Sequence, residues 1–355
     1  MKIKNKIVYQ KLDELYEEAK PIALTESSKW VIFSDLHMGD GGSNDDFKAN
    51  APMLQSVLSD YYLKQDFGLI LNGDVEELQR FKLKNIRQYW KSVFDLFDQF
   101  QSKIGLHKTV GNHDLDFEQM NAEEAKYTHP PSLRLDYKGN SIFIFHGHQA
   151  SRKFQKHNQL IGLTLKYFAN PLGIKNYSVS HSSQKQYNIE KRVYHYSAYR
   201  KIVSIIGHTH RPLFESLHKV ERLRYKIEQL CREFATGLTK DPQEVLDAIS
   251  TNKSDLRKYY KQALKTNFQN YVYNTIFHIP CLFNSGCVIG KRGMTCIELD
   301  GNMIRLVHWF DGSLNQKYLS QSGYNPEQLA GTDIYRMVIN EETLDYIFTR
   351  IKLLS

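Results

Sequence analysis

The sequence predicts an α/β fold, and three observations carry that reading. Short apolar runs of strand length recur at Trp30-Val31-Ile32-Phe33, Leu69-Ile70-Leu71, Ile142-Phe143-Ile144-Phe145 and Ile202-Val203-Ser204-Ile205-Ile206, with a weaker one at Lys108-Thr109-Val110. Segments with helical apolar spacing lie between several of them, at 53–63 and 86–100. Strands alternating with helices indicate a sheet covered by helices. Each of these runs also ends in a cluster of Asp, His or Asn. Open α/β sheets keep their sites just past the carboxyl ends of their strands.

Taken in chain order, Tyr9, Leu12, Leu15, Tyr16 and Ala19 recur at helical spacing, and Pro21 ends that run. The span 1–27 therefore reads as an N-terminal helical extension, and 28–215 as the core. Residues 216–280 are rich in charge and helix formers, with amphipathic stretches at 220–234 and 242–249, and read as a helical insertion. Strand-like sequence resumes at 295–299 and 303–309, separated by Asp300-Gly301-Asn302, a hairpin signal. The span 281–320 thus completes the core. Leu344, Ile347, Phe348 and Ile351 form one stripe, so 321–355 reads as a C-terminal helical tail.

The chain has 355 residues, enough for one large domain with an insertion or for two domains. With 41% hydrophobic and 24% charged residues it reads as folded, not disordered. A net charge of +8 favours anionic partners: phosphorylated metabolites, nucleic acid or an acidic membrane surface. The four cysteines form no CxxC or Cys/His knuckle, which argues against a zinc finger. They read as free thiols of a reducing compartment. The basic N-terminus lacks an apolar signal core, and no run of about 18 apolar residues occurs. A cytoplasmic protein is expected, with peripheral membrane contact left open.

Five polar fragments stand in order: Asp35-Leu36-His37, Gly73-Asp74-Val75-Glu76-Glu77, Gly111-Asn112-His113-Asp114, His146-Gly147-His148 and Gly207-His208-Thr209-His210. DxH alone has little weight, since so short a pattern arises by chance about once in a chain of this size. The ordered set, each fragment after a strand-like run, is a strong signal. Carboxylate, amide oxygen and imidazole together suit borderline divalent ions. A carboxylate can bridge two ions, and ions roughly 3.5–4 Å apart can bind a phosphate, activate water and stabilise a leaving oxygen. Glu76 and Glu77 suit a helix start or a supporting role. Asp40, Asp45 and Asp46 lie in a Gly-rich loop and read as solvated. His148 reads equally as a metal-proximal or substrate contact or as a plain loop residue.

These fragments resemble the calcineurin-like metallophosphoesterase superfamily over most of 28–215 and the segment near 281–310. The resemblance implies two packed mixed β-sheets flanked by helices in four layers, and two divalent transition-metal ions, Mn first with Fe or Zn as alternatives. Asp35, His37, Asp74 and His210 would hold one ion. Asp74, Asn112, His146 and His208 would hold the other, with Asp74 bridging. His113 would contact the phosphate or protonate the leaving group, and Asp114 would orient it. The Asn284-Ser285-Gly286-Cys287 turn resembles one that often follows the paired-histidine motif. His208-Thr209-His210-Arg211-Pro212 and the His-Gly of the fourth fragment are similar to the bacterial UDP-2,3-diacylglucosamine hydrolases. That branch, however, is shorter and carries Arg where His113 stands.

From 151 to 201 there are ten basic residues against one acid, Glu190, with six tyrosines interleaved. This segment reads as a solubilising face or as an anion-binding rim or lid over the metals. Together with the fourth and fifth fragments, it makes His148, Arg152, Lys153 and Arg211 candidate substrate contacts. The implied activity is hydrolysis of a phosphate ester, as phosphatase or phosphodiesterase. Alternatives are a pyrophosphatase of a UDP-sugar lipid and a nuclease, although no recognised nucleic-acid module is present. A non-catalytic scaffold fits least, because every ligand position of the motif set is filled.

Overall fold

The computed structural model describes residues 3–151, 183–216, 219–236, 241–265, 278–320 and 324–355. The apolar runs at 30–33, 69–71 and 108–110 become parallel strands β2 (Lys29–Phe33), β3 (Gly68–Asn72) and β4 (Leu106–Thr109). All five residues of β3 are buried, as a central parallel strand requires. β2 is flanked on its other side by antiparallel β9 (Met294–Asp300), which leads through the Asp300-Gly301-Asn302 turn into β10 (Met303–Asp311). The seven-stranded sheet runs β11-β12-β10-β9-β2-β3-β4, where β11 is Glu327–Gln328 and β12 is Ile334–Thr343.

The second sheet has five strands in the order β1-β5-β6-β7-β8: Pro21–Ala23, Ser132–Tyr137, Asn140–Phe145, Val203–Ile206 and Leu282–Asn284. Both sheets are mixed. Strand alternation sorts the core. Val31, Phe33, Leu69 and Leu71 pack with helices Ala51–Val57 and Lys91–Lys103 on one face of the larger sheet. Ile32, Ile70, Ile297 and Leu306 face the smaller sheet, whose Leu135, Ile144 and Ile205 join the same cluster. Val8 and Leu12 of helix Ile3–Glu18 and Ile189 and Val193 of helix Ser183–Arg200 belong to that cluster too. Two packed sheets flanked by helices are the result, as the resemblance implied.

The differences from the sequence reading are local. The span 321–355 is not purely helical: β12 precedes helix Leu344–Leu354 and pairs along β10. Its residues pair with a strand 23 to 40 residues away, so local pattern alone did not reveal it. The span 1–27 adds β1 to its helix, with Pro21 paired at the sheet edge beside Arg134, where a missing N–H is tolerated. In 216–280, helices Lys219–Thr236 and Pro242–Lys265 contact each other. All four cysteines are unpaired. Among the described residues, no helix is long and apolar enough to cross a membrane.

Candidate metal centre

Six parallel strand ends converge on one crevice, three from each sheet. β2, β3 and β4 deliver Asp35, Asp74 and Asn112, whereas β6, β7 and β8 deliver His146, His208 and Asn284. The backbone there is unusual. Asp35, His37, Asp74, His208 and His210 all have positive φ, between 48° and 63°. Such conformations are uncommon for residues with a side chain and persist where the surroundings over-determine them. The glycines beside them answer close approaches. A Cβ on Gly111 would lie 2.1 Å from Asp74 Oδ1, and one on Gly207 would lie 2.4 Å from Ser34 Oγ.

The side chains meet closely. His210 Nε2 lies 3.0 Å from Asp35 Oδ1 and 3.3 Å from His37 Nε2. His146 Nε2 lies 3.0 Å from Asp74 Oδ2 and 3.9 Å from Asp35 Oδ1. Three groups among the described residues could hold an ion: Asp35, His37 and His210; His37, Asp74 and His113; Asp74, His146 and His208. The first holds three of the four residues implied for one ion and the third three of the four implied for the other, while the second joins His113 to His37 and Asp74. Asp35 Oδ1, Asn112 Oδ1 and His146 Nε2 are buried without a hydrogen-bond partner. Buried polar atoms are nearly always partnered; here the 3.0 Å approaches to Asp35 Oδ1 and His146 Nε2 lack hydrogen-bond geometry, and the crevice could hold a cation.

Hydrogen bonds outside the cluster set the histidine tautomers. His146 Nδ1 lies 2.8 Å from the Asn72 carbonyl, which can only accept, so Nδ1 carries the proton and Nε2 faces the crevice. Glu77 receives both His37 Nδ1, at 3.1 Å, and His113 Nδ1, at 2.8 Å. Burial alone would raise the Glu77 carboxyl, but His113 and His37 beside it hold it at about 2. It therefore accepts from both rings. For Asp35 the penalty of burial is likewise outweighed, by His210 and His146, to about 2.

Several sequence expectations are corrected here. The carboxylate on the His113 ring is Glu77, not Asp114. Asp114 accepts from Val75 N at 2.8 Å and Gly111 N at 2.5 Å, and so ties two ligand loops together. No helix starts at Glu76 or Glu77, since the next begins at Leu83. Glu76 instead pairs with buried Lys108 at 2.5 Å. Asp45 is buried, accepting from the backbone of Gly39, Gly41 and Phe47 and from Trp90 Nε1. His148 is buried with its ring 5.5 Å from that of His146, beside a candidate ligand, and so is not a plain loop residue. Arg211 lies beside Glu190, NH2 to Oε2 at 3.3 Å. Arg152, Lys153 and the basic stretch through 182 lie outside the described residues. Sequence reasoning missed Ser34, Asn72 and Glu190, whereas Glu77 has the supporting role expected of it, as the partner of the His37 and His113 rings.

No family model matches the chain, and none of the curated proteins does. One similar solved structure is a conserved protein from Streptococcus pneumoniae TIGR4, described as a predicted phosphoesterase. It has 12% sequence identity and a TM-score of 0.30, over 79% of this chain and 87% of that one. The UDP-2,3-diacylglucosamine hydrolase branch finds no support in these comparisons.

Proposed function

We propose that this chain is a metal-dependent phosphoesterase that uses two divalent ions. The observation that carries the reading is the set of three orphaned buried atoms, Asp35 Oδ1, Asn112 Oδ1 and His146 Nε2, in a crevice lined by further His and Asp donors. Asp35, His37, Asp74 and His210 would hold one ion, and Asp74, Asn112, His146 and His208 the other. The mixed nitrogen and oxygen donors suit Mn, Fe or Zn. When bound, such ions supply Lewis-acid polarisation of a phosphoryl oxygen and activation of water.

The chain's own residues supply the rest. Glu77 accepts a hydrogen bond from Nδ1–H of His113, which leaves Nε2 as the nitrogen that would meet the leaving oxygen and give it a proton. Glu77 also fixes the His37 ring, so one carboxylate aligns a ligand and the acid. Asp114 keeps the loops of Asp74 and Asn112 in register through Val75 N and Gly111 N. Arg211, beside His210 in sequence, and the basic residues of 151–201 would receive further anionic groups of a phosphorylated substrate.

The test is elemental analysis of metal-loaded protein, together with hydrolysis of a panel of phosphomonoesters, phosphodiesters and nucleotide pyrophosphates with added Mn. Two ions per chain and turnover of one class support the proposal. One ion or fewer at saturation removes the dinuclear reading, and no turnover of any class removes the enzyme.

A further inference from the structure

The loop from Gly207 to Arg211 carries two candidate ligands, each in a left-handed backbone: His208 at φ 63° and His210 at φ 55°. Two such residues separated by one are costly, and something outside the loop must hold them. The residue between them, Thr209, is fully buried and gripped at both its polar ends. Its hydroxyl donates to Glu190 Oε1 at 2.9 Å and accepts from Asn284 Nδ2 at 2.9 Å. The amide NH2 of Asn284 can only donate, which leaves the hydrogen of the Thr209 hydroxyl for Glu190. Its carbonyl accepts from Gln186 Nε2 at 2.8 Å.

Glu190 and Gln186 sit one turn apart on helix Ser183–Arg200, on the side turned to the crevice loop. Glu190 has no exposed surface, and its second oxygen lies 3.3 Å from Arg211 NH2. A buried carboxylate is expensive unless its partners match it. Here one carboxylate meets the residue between the two histidines and the cation that follows them. Glu190 is also the single acid in a segment of ten basic residues. A solubilising basic face gives no reason to bury an acid there.

We infer that Glu190, assisted by Gln186, is a positioning residue for the two-histidine loop: it fixes Thr209 and Arg211, and so sets the directions in which His208 and His210 present their ring nitrogens. The inference rests on the metal reading proposed above. It makes helix Ser183–Arg200 part of the site's machinery although none of its residues is assigned to an ion.

The experiment compares Mn affinity, by titration calorimetry, and kcat and KM across wild type, Glu190→Ala, Glu190→Asp, Thr209→Val and Gln186→Ala. Circular dichroism checks that each is folded. Loss of supporting partners of ligands typically weakens metal affinity by about 10–100-fold. Glu190→Ala and Thr209→Val should each fall in that range, with kcat reduced more than KM is raised. The double variant should be little worse than either single one, since both break the same link. Glu190→Asp should recover part of the loss. Thr209→Val probes the link from the loop side, and Gln186→Ala from the helix side, should Glu190→Ala not fold. Folded variants with wild-type Mn affinity and kcat overturn the inference. A wild-type protein that takes up no Mn overturns the metal reading instead, so the two failures are distinguishable.

Discussion

Two clusters of buried charge sit on the same seven-stranded sheet, and they are built in opposite ways. Away from the crevice, Glu298 on β9 receives Arg336 of β12 at 3.0 and 2.6 Å and the Tyr62 hydroxyl at 2.8 Å. Tyr62 in turn accepts from Trp309 Nε1 at 2.9 Å. None of these four residues has a positive φ, and none of their polar atoms is an orphan. At the crevice, five neighbouring residues have a left-handed backbone and three polar atoms have no partner. The first cluster is closed by protein groups alone, while the second offers donor groups that could hold an ion. Burial of charge therefore does not identify a site, whereas strain and unmet valence beside that charge do.

The largest effect that can break this comparison is Asp74→Asn. It should lose ions and activity together, with turnover at background, while the fold persists. Elemental analysis and the phosphoester panel read it, and an Asn variant with full activity and both ions would place the bridge elsewhere. Next comes His113→Ala, which should keep its ions and lose about 10²–10⁴-fold in kcat. The loss should be greater for alkyl than for nitrophenyl phosphates, whose leaving group needs no proton. Equal losses would reduce His113 to a phosphate contact.

The mirror experiment is Arg336→Ala. It leaves the Glu298 carboxylate buried and alone, at a cost of about 3–5 kcal/mol in stability. Denaturant unfolding measures that, and the metal content of the folded fraction should be unchanged.

A subtler contrast is pH. In metal-free protein, burial pulls His113 and His146 down, but Glu77 and Asp74 for the first, and Asp74 and Asp35 for the second, leave each at about 9. A folded value above the usual 6.5 or so means stability fully present below that pH and lost as pH rises through about 9. Ligand histidines must be deprotonated to bind metal, so ions compete with these protons. The gap in Tm between Mn-loaded and chelated protein should widen from about pH 6.5 to 9. A constant gap would show that proton and ion do not share the site. The smallest stability effect belongs to Asp35→Asn in chelated protein: it removes a carboxylate that His210 and His146 hold charged, so Tm should fall slightly, and Mn uptake should be lost.

Much of this was legible in the sequence because the parallel strands are local events. Ile32, Ile70 and Ile144 lie in short apolar runs, and the polar fragments follow them directly. What was not legible depends on partners far along the chain. β12 shows itself only against β10. The link from Glu77 to His113 needs two loops side by side, and Asp45 reads as solvated until Trp90 and three backbone N–H groups surround it. Glu190 looked like one acid in a basic stretch, because nothing local says that Thr209 lies beneath it.

The order of the strands has a consequence for how the protein is made. Every candidate ligand has been synthesised once residue 210 is added. Yet β2, which carries Asp35, borders β9, with Lys29 opposite Asp300, and Val288 N donates to the Asp35 carbonyl at 3.3 Å. The strand that anchors the first ligand thus waits for a neighbour encoded about 260 residues later. Pairings across such separations are slow to form and leave strand edges open in the meantime. Assembly of the centre is therefore a late event, and truncations before 294 should yield aggregation-prone chains that possess all the ligands and cannot gather them.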